Sequence, residues 1–280
     1  MSTAHAIQPG WLQPRSRKAR ELMIRLTRAK GPLVEGMFVT SIDSSGNAAN
    51  TREPRQVSDQ FLGALAFAAT GNLDKTAEVV DTLLKRSVVD GFFVAELDAD
   101  GSTRRATAGT AAQHLGVLAL LAIERRKQAH ALMEKTMVAV EGGIFYAQIN
   151  RSNPTSLTCQ LTAVLALAAT GRVRESQTLL EVLVKMHTTS GLFNRDLRPA
   201  NGLETTTNAQ LLGILALVAT GSPEAAKGLL REFTSGNPSA VQRGYFQRTV
   251  NPRTCAARIE ETLSTDSQLL GVLALNALGV

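Results

Sequence analysis

Gln60-Phe61-Leu62-Gly63-Ala64-Leu65-Ala66-Phe67 returns in close variants at Gln113, Gln160, Gln210 and Gln268, at spacings of 53, 47, 50 and 58 residues. A second marker, Gly-x-Phe, precedes every copy, at Gly36/Phe38, Gly91/Phe93, Gly143/Phe145, Gly191/Phe193 and Gly244/Phe246. Self-similarity at a period near 50 residues decides the architecture before any single element is assigned. Each glutamine string continues in Leu, Ala and Gly and is apolar on nearly every side, which suits a helix buried on all faces.

Three of the strings close on Ala-Thr-Gly, at Gly71, Gly171 and Gly221, where glycine suits the left-handed residue that ends a helix. A second helix then starts, as at Ser222-Pro223-Glu224, a cap, a proline and a first-turn acid. In these second helices the apolar residues keep to one face. Leu73, Ala77, Val80, Leu84 and Val88 make such a stripe, with Lys75, Glu78, Asp81 and Lys85 elsewhere. Another amphipathic helix spans about residues 16–30. The pattern predicts an all-α chain of five inner and five outer helices. They form an α/α toroid of about five hairpins over residues 15–280, with residues 1–14 as an extended arm. An open solenoid fits less well, because the second helix of each pair would then keep a wet face too. The glycines at 63, 116, 213 and 271 are expected to let helices approach closely around a narrow centre.

The Leu165-Ala166-Leu167-Ala168-Ala169-Thr170-Gly171 run with the amphipathic helix after it, and Asp90-Gly91-Phe92-Phe93, resemble the hairpin unit of the α/α-toroid proteins. These are the six-hairpin glycosidases and the terpenoid cyclase/prenyltransferase repeat family. The resemblance covers about residues 16–280 and implies the fold; fold alone does not fix the chemistry.

With 280 residues, 44% of them hydrophobic, and two cysteines, the chain can bury a core without disulfide staples. That excludes disorder and a disulfide scaffold. Neither an apolar run of about 18 residues nor a signal sequence occurs, so the expectation is a cytoplasmic or particle-borne protein with no membrane contact. Phosphate-loop, dinucleotide and nucleophile-elbow motifs are also missing.

Function is expected in the connections from outer to inner helix, which vary from 14 to 21 residues between Phe and Gln. They carry arginine, including Arg104, Arg105, Arg195, Arg198 and Arg248, and no lysine. Arginine of this kind pairs with carboxylates, either of the neighbouring loop acids or of an anionic glycan. The column glutamines Gln60, Gln113, Gln160, Gln210 and Gln268 are read as a ring tying loops to helices, or as the polar lining of a ligand funnel. His114 stands in a column otherwise filled by Phe61, Leu161, Leu211 and Leu269, and Thr162 replaces a leucine. Cys159, Cys255 and His114 have no local ligand spacing, so neither metal nor cofactor is expected.

Asp59 and Asp266 lie at inner-helix N-termini, where they serve either as caps or as the paired carboxylates of a glycosidase. Tyr146 and Tyr245 with an arginine would suit an acidic-polysaccharide lyase. Against enzymes, nine Phe, two Tyr and one Trp leave few sugar-stacking aromatics in the loops. The net charge of +6 is concentrated in Arg15, Arg17, Lys18, Arg20, Arg25, Arg28 and Lys30, opposed there by Glu21. A basic helix of this kind and the lone Trp11 on a proline-rich arm suit docking to a protein partner, nucleic acid not being expected. The leading expectation is therefore a non-catalytic scaffold or adaptor in a larger assembly, such as a virion-like particle. The alternative is a carbohydrate-active enzyme, a glycoside hydrolase or polysaccharide lyase, with Asp59, Asp266, His114, Tyr146 and Tyr245 in its funnel.

Overall fold

A computed structural model of the chain describes residues 9–28, 31–105, 107–150, 156–189, 191–194, 205–251, 253–259 and 262–280. Ten α-helices lie among them: α1 (Arg17–Leu26), α2 (Val57–Ala69), α3 (Leu73–Arg86), α4 (Thr110–Ala122), α5 (Arg126–Thr136), α6 (Leu157–Ala169), α7 (Val173–His187), α8 (Thr207–Ala219), α9 (Pro223–Thr234) and α10 (Thr265–Leu278). The even-numbered helices form the inner ring. Each packs on its two neighbours, and the ring closes where α10 meets α2. The odd-numbered helices stand outside, each mainly against one inner partner; α1 takes α10, so the fifth hairpin is assembled from the two ends of the domain.

Burial follows the two sequence patterns. In α2 all residues but Ser58 are buried, whereas α3 buries only Thr76, Val79, Val80 and Leu83. The expected stripe on α3 is thus displaced: Leu73 is 47% exposed, and Val88 lies beyond the helix in a strand. Ser16 caps α1 by accepting from the Ala19 N–H at 3.0 Å.

The Gly-x-Phe markers sit in short antiparallel β-hairpins that a purely helical reading does not anticipate. In the hairpin of residues 88–93, Val88 pairs with Phe93 and Val89 with Phe92 around Asp90-Gly91. The two turn residues have φ of 54° and 80°, the positive pair of a type I′ turn. Equivalent hairpins occupy 33–38, 140–145, 188–193 and 241–246.

Each phenylalanine of the marker is held by the glutamine of its own unit. Gln60 Oε1 accepts from the Phe38 N–H at 2.7 Å while Gln60 Nε2 donates to the Phe38 carbonyl at 2.9 Å. Gln113 grips Phe93, Gln160 grips Phe145, Gln210 grips Phe193 and Gln268 grips Phe246 in the same two-bond manner. The glutamines therefore tie loops to helices, and both ends of each buried amide are spent on backbone, which removes them as a ligand lining. The helix glycines have a different use from the expected one: a Cβ on Gly63 or Gly271 would overlap the Phe38 or Phe246 ring. They make room for the marker phenylalanine rather than for a neighbouring helix.

Trp11 and Leu12, in a 3₁₀ turn (Gly10–Leu12), are buried against α10, α2 and α8. Asn276, also fully buried, fastens this segment. Its Oδ1 accepts from the Arg15 and Ser16 N–H groups at 2.8 and 3.2 Å, and its Nδ2 donates to the Trp11 and Gln13 carbonyls at 3.0 and 2.8 Å. The expectation of Trp11 as an anchor into another subunit is corrected accordingly, since the indole, 5% exposed, is used up inside its own barrel. No helix among the described residues is long and apolar enough to cross a membrane.

Candidate active site

The inner-helix N-termini form the rim of the barrel, and backbone hydrogen bonds register four of them against the next unit. The Val57 N–H donates to the Ala95 carbonyl at 3.0 Å, Thr110 to Ala147 at 3.0 Å, Thr207 to Arg248 at 2.9 Å and Thr265 to Thr40 at 3.0 Å. Every acceptor stands two residues after a marker phenylalanine. The same rule that builds the ring thus fixes which side chains face one another across it.

On the α8–α10–α2 side the rim is polar. Asp59 is buried in the first turn of α2, where, among the described residues, the Ser58 hydroxyl alone donates to it, at 3.3 Å. Asp266, in the first turn of α10, is partly exposed and richly supplied. Its Oδ2 accepts from Asn208 Nδ2 at 2.6 Å, and its Oδ1 accepts from the Ser267 N–H at 2.7 Å and from the Ser264 hydroxyl. Ser267 Oγ in turn donates to Asn208 Oδ1 at 2.6 Å. On the α4–α6 side the corresponding two positions hold Ala111-Ala112 and Thr158-Cys159.

Burial, reinforced by the charge of Asp266, raises Asp59 well above the usual carboxylate range. Burial raises Asp266 too, but the Asn208 amide, the Ser267 N–H and the Arg248 cation pull the other way. Two carboxyls close enough to disfavour joint ionisation, one poor in donors and one rich, make an acid and a base. Of the two, Asp59 is the carboxyl pushed further towards its protonated form.

The other candidate residues are not part of this pair. His114 is fully buried. Its Nδ1 lies 3.2 Å from Thr162 Oγ1, and because that hydroxyl donates its only proton to the Cys159 carbonyl at 2.9 Å, the imidazole carries its hydrogen on Nδ1. The Phe145 ring meets it edge-on at 4.7 Å, and burial lowers its pKa to about 3, so it is a neutral core group. The two anomalous columns, His114 and Thr162, explain each other. Tyr146 donates to Glu141 on its own hairpin, and Tyr245, buried, reaches the Ser45 carbonyl at 3.4 Å. Both phenols are engaged outside the pair, which takes the support from the lyase variant. Cys159 Sγ contacts the Tyr146 carbonyl and Cys255 Sγ contacts Glu232, so the imagined cysteine and histidine ligands are not brought together.

Among the arginines, Arg104 pairs with Asp98 at 3.5 Å and Arg248 stands exposed at the rim. Arg105 lies in a strand (Thr103–Arg105) and its side chain is outside the described residues, as are Arg195 and Arg198 altogether. A groove of about 510 Å³ between α7 and α9, lined by Val184, Phe193, Leu217 and Leu229, has Glu232 as its one ionisable lining group and lacks paired chemistry. Asn208 and Ser267 escaped the sequence reading. The available signal was positional: they occupy the same two columns before the glutamine as Asp266 and Asp59.

No protein-family model and no curated relative matches the chain. Solved structures do. It is similar to an alpha-amylase from Clostridium perfringens (TM-score 0.65, 11% identity, 93% of this chain and 97% of that one). It is similar to the endo-beta-1,4-glucanase CMCax from Acetobacter xylinum (0.64, 13%, 93% and 97%) and to a D-mannose isomerase (0.63, 11%, 99% and 99%). The fold these structures share with the chain is an α/α toroid, closed here with five hairpins among the described residues. The expectation of a non-catalytic scaffold or virion component is corrected: the similar folds, matched over nearly their full length, are those of enzymes acting on carbohydrates.

Proposed function

We propose that this chain is a carbohydrate-active enzyme that hydrolyses glycosidic bonds, with Asp59 as general acid and Asp266 as its ionised partner. The observation that carries the reading is the unequal pair itself, two carboxyls on neighbouring inner helices that act on one another electrostatically, one with a single donor among the described residues and the other with several. Asp59 gives its proton to the glycosidic oxygen as the bond to the anomeric carbon breaks. Asp266 stabilises the positive charge developing on the sugar and takes a proton from the attacking water, which restores neutrality of the product. The Asn208 amide and the Ser267 hydroxyl orient Asp266. Support also comes from the amylase and glucanase among the similar folds, whose names speak of polysaccharide cleavage.

The test is reducing-end release from a panel of neutral and acidic polysaccharides by the purified full chain. Turnover that disappears in Asp59→Asn and in Asp266→Asn supports the assignment. Turnover that survives both substitutions, or sugar isomerisation without cleavage, overturns it.

A further inference from the structure

One cation at the rim lies on the side of Asp266, whose carboxyl its charge lowers, and has its own donors uncommitted. Arg248 is exposed, and among the described residues its guanidinium has no hydrogen bond or ion pair, unlike Arg104 with Asp98 or Arg55, whose Nη2 donates to the Thr51 carbonyl. Its backbone is fixed. The Arg248 carbonyl accepts from the Thr207 N–H at 2.9 Å, and the residues that follow, Thr249–Val250, pair with Thr205–Thr206. Thr207 adjoins Asn208, the residue that donates to Asp266 at 2.6 Å. The arginine thus stands on a rigid platform beside the group that orients the base.

We propose that Arg248 is the specificity-determining residue of the rim site and that it binds the carboxylate of an acidic sugar, which makes a uronic-acid-containing glycan the substrate. This rests on the reading of Asp59 and Asp266 as the hydrolytic pair. A guanidinium presents a planar fork of donors that matches a carboxylate in two parallel bonds, and a hydroxymethyl group in the same place accepts only a weaker neutral one. The advantage expected for the acidic sugar is about 10- to 100-fold in kcat/KM.

The experiment compares uronate polymers with the same polymers after carboxyl reduction. The acidic-to-neutral ratio of kcat/KM is expected to be about 10 or more in the unmodified chain. It should collapse to near 1 in Arg248→Gln, recover in part in Arg248→Lys, and stay unchanged in Arg253→Gln on the same connection. A ratio near 1 in the unmodified chain, or one that Arg248→Gln leaves intact, overturns the proposal. Calorimetric titration with uronate oligomers reads the contact without turnover. Binding through Arg248 with no cleavage of any polymer would sink the hydrolase reading and keep the anion site; neutral polymers cleaved as fast as acidic ones would do the reverse.

Discussion

Asn208 Nδ2 donates to Asp266 Oδ2 at 2.6 Å across the gap between α8 and α10, and the same amide accepts from Ser267 Oγ at 2.6 Å. A neutral side chain on one helix thereby holds a carboxylate and that carboxylate's neighbour on the next. The Asn208 amide holds the Asp266 titration down, so Asn208→Ala should raise it. Carbon-13 NMR of the aspartate carboxyls reads this directly, and the acid limb of the pH–rate profile should move to higher pH with it. A role in packing alone would leave both unmoved.

Asp59→Asn and Asp266→Asn should each lower kcat by about 10²- to 10⁴-fold, the usual worth of a positioned acid or base. The double variant should be little worse than either single one, because the two groups act as a unit. Steady-state assays on the best polysaccharide substrate decide this.

The pair also costs stability. Asp59 has a folded pKa raised by burial and by Asp266, so its contribution is full below the unfolded value of 3.8 and is lost as the pH rises through the folded one. At pH 7 the fold carries an unfavourable pair of carboxyls. Asp59→Asn should therefore be more stable than the unmodified chain at pH 7, by roughly 0.5–2 kcal/mol. In thermal unfolding that advantage should vanish by about pH 4, near the unfolded value.

His114 acts with the opposite sign. Its pKa falls from 6.5 to about 3 through burial, so the stability it supports is present above 6.5 and drains away as the pH falls from there towards 3. The slope is about 1.4 kcal/mol per pH unit. His114→Leu, which installs the residue its column holds in three other units, should flatten this window when unfolding is followed between pH 4 and 7.

Asn276→Leu should destabilise the chain by roughly 3–5 kcal/mol, since it strands buried N–H and carbonyl groups in the Trp11–Ser16 segment. Urea denaturation gives the difference. Trp11 fluorescence should shift to the red in native buffer if the segment leaves the barrel.

The inner ring was legible because its helices are apolar on every side and repeat in a fixed order. The hairpins were less so, although Asp90-Gly91 between Val88-Val89 and Phe92-Phe93 is hairpin chemistry; Val88 also fits the helical period of α3, and the longer pattern absorbed it. Asp59 and Asp266 stood out by their place at helix starts. That Asn208 completes them depends on α8 and α10 being neighbours in the ring, 58 residues apart along the chain, and columns alone do not give that order. Trp11 on a proline-flanked segment reads alike whether it packs on its own barrel or another's. The amide at Asn276, in a column of Ala68, Leu121, Ala168 and Val218, was the sign that something polar had to be met there.

The ring closes between α10 and α2, and α1 completes the fifth hairpin from the other end of the sequence. The Ser16 hydroxyl donates to the Val280 carbonyl, so the two ends of the domain meet on one seam. A circular permutant that opens at the tight turn of Gly171, between α6 and α7, with a short linker running from Val280 to Pro9, would keep every helix in its place. If the cyclic order of the units is what holds the barrel, the permutant should unfold with the same cooperativity as the unmodified chain.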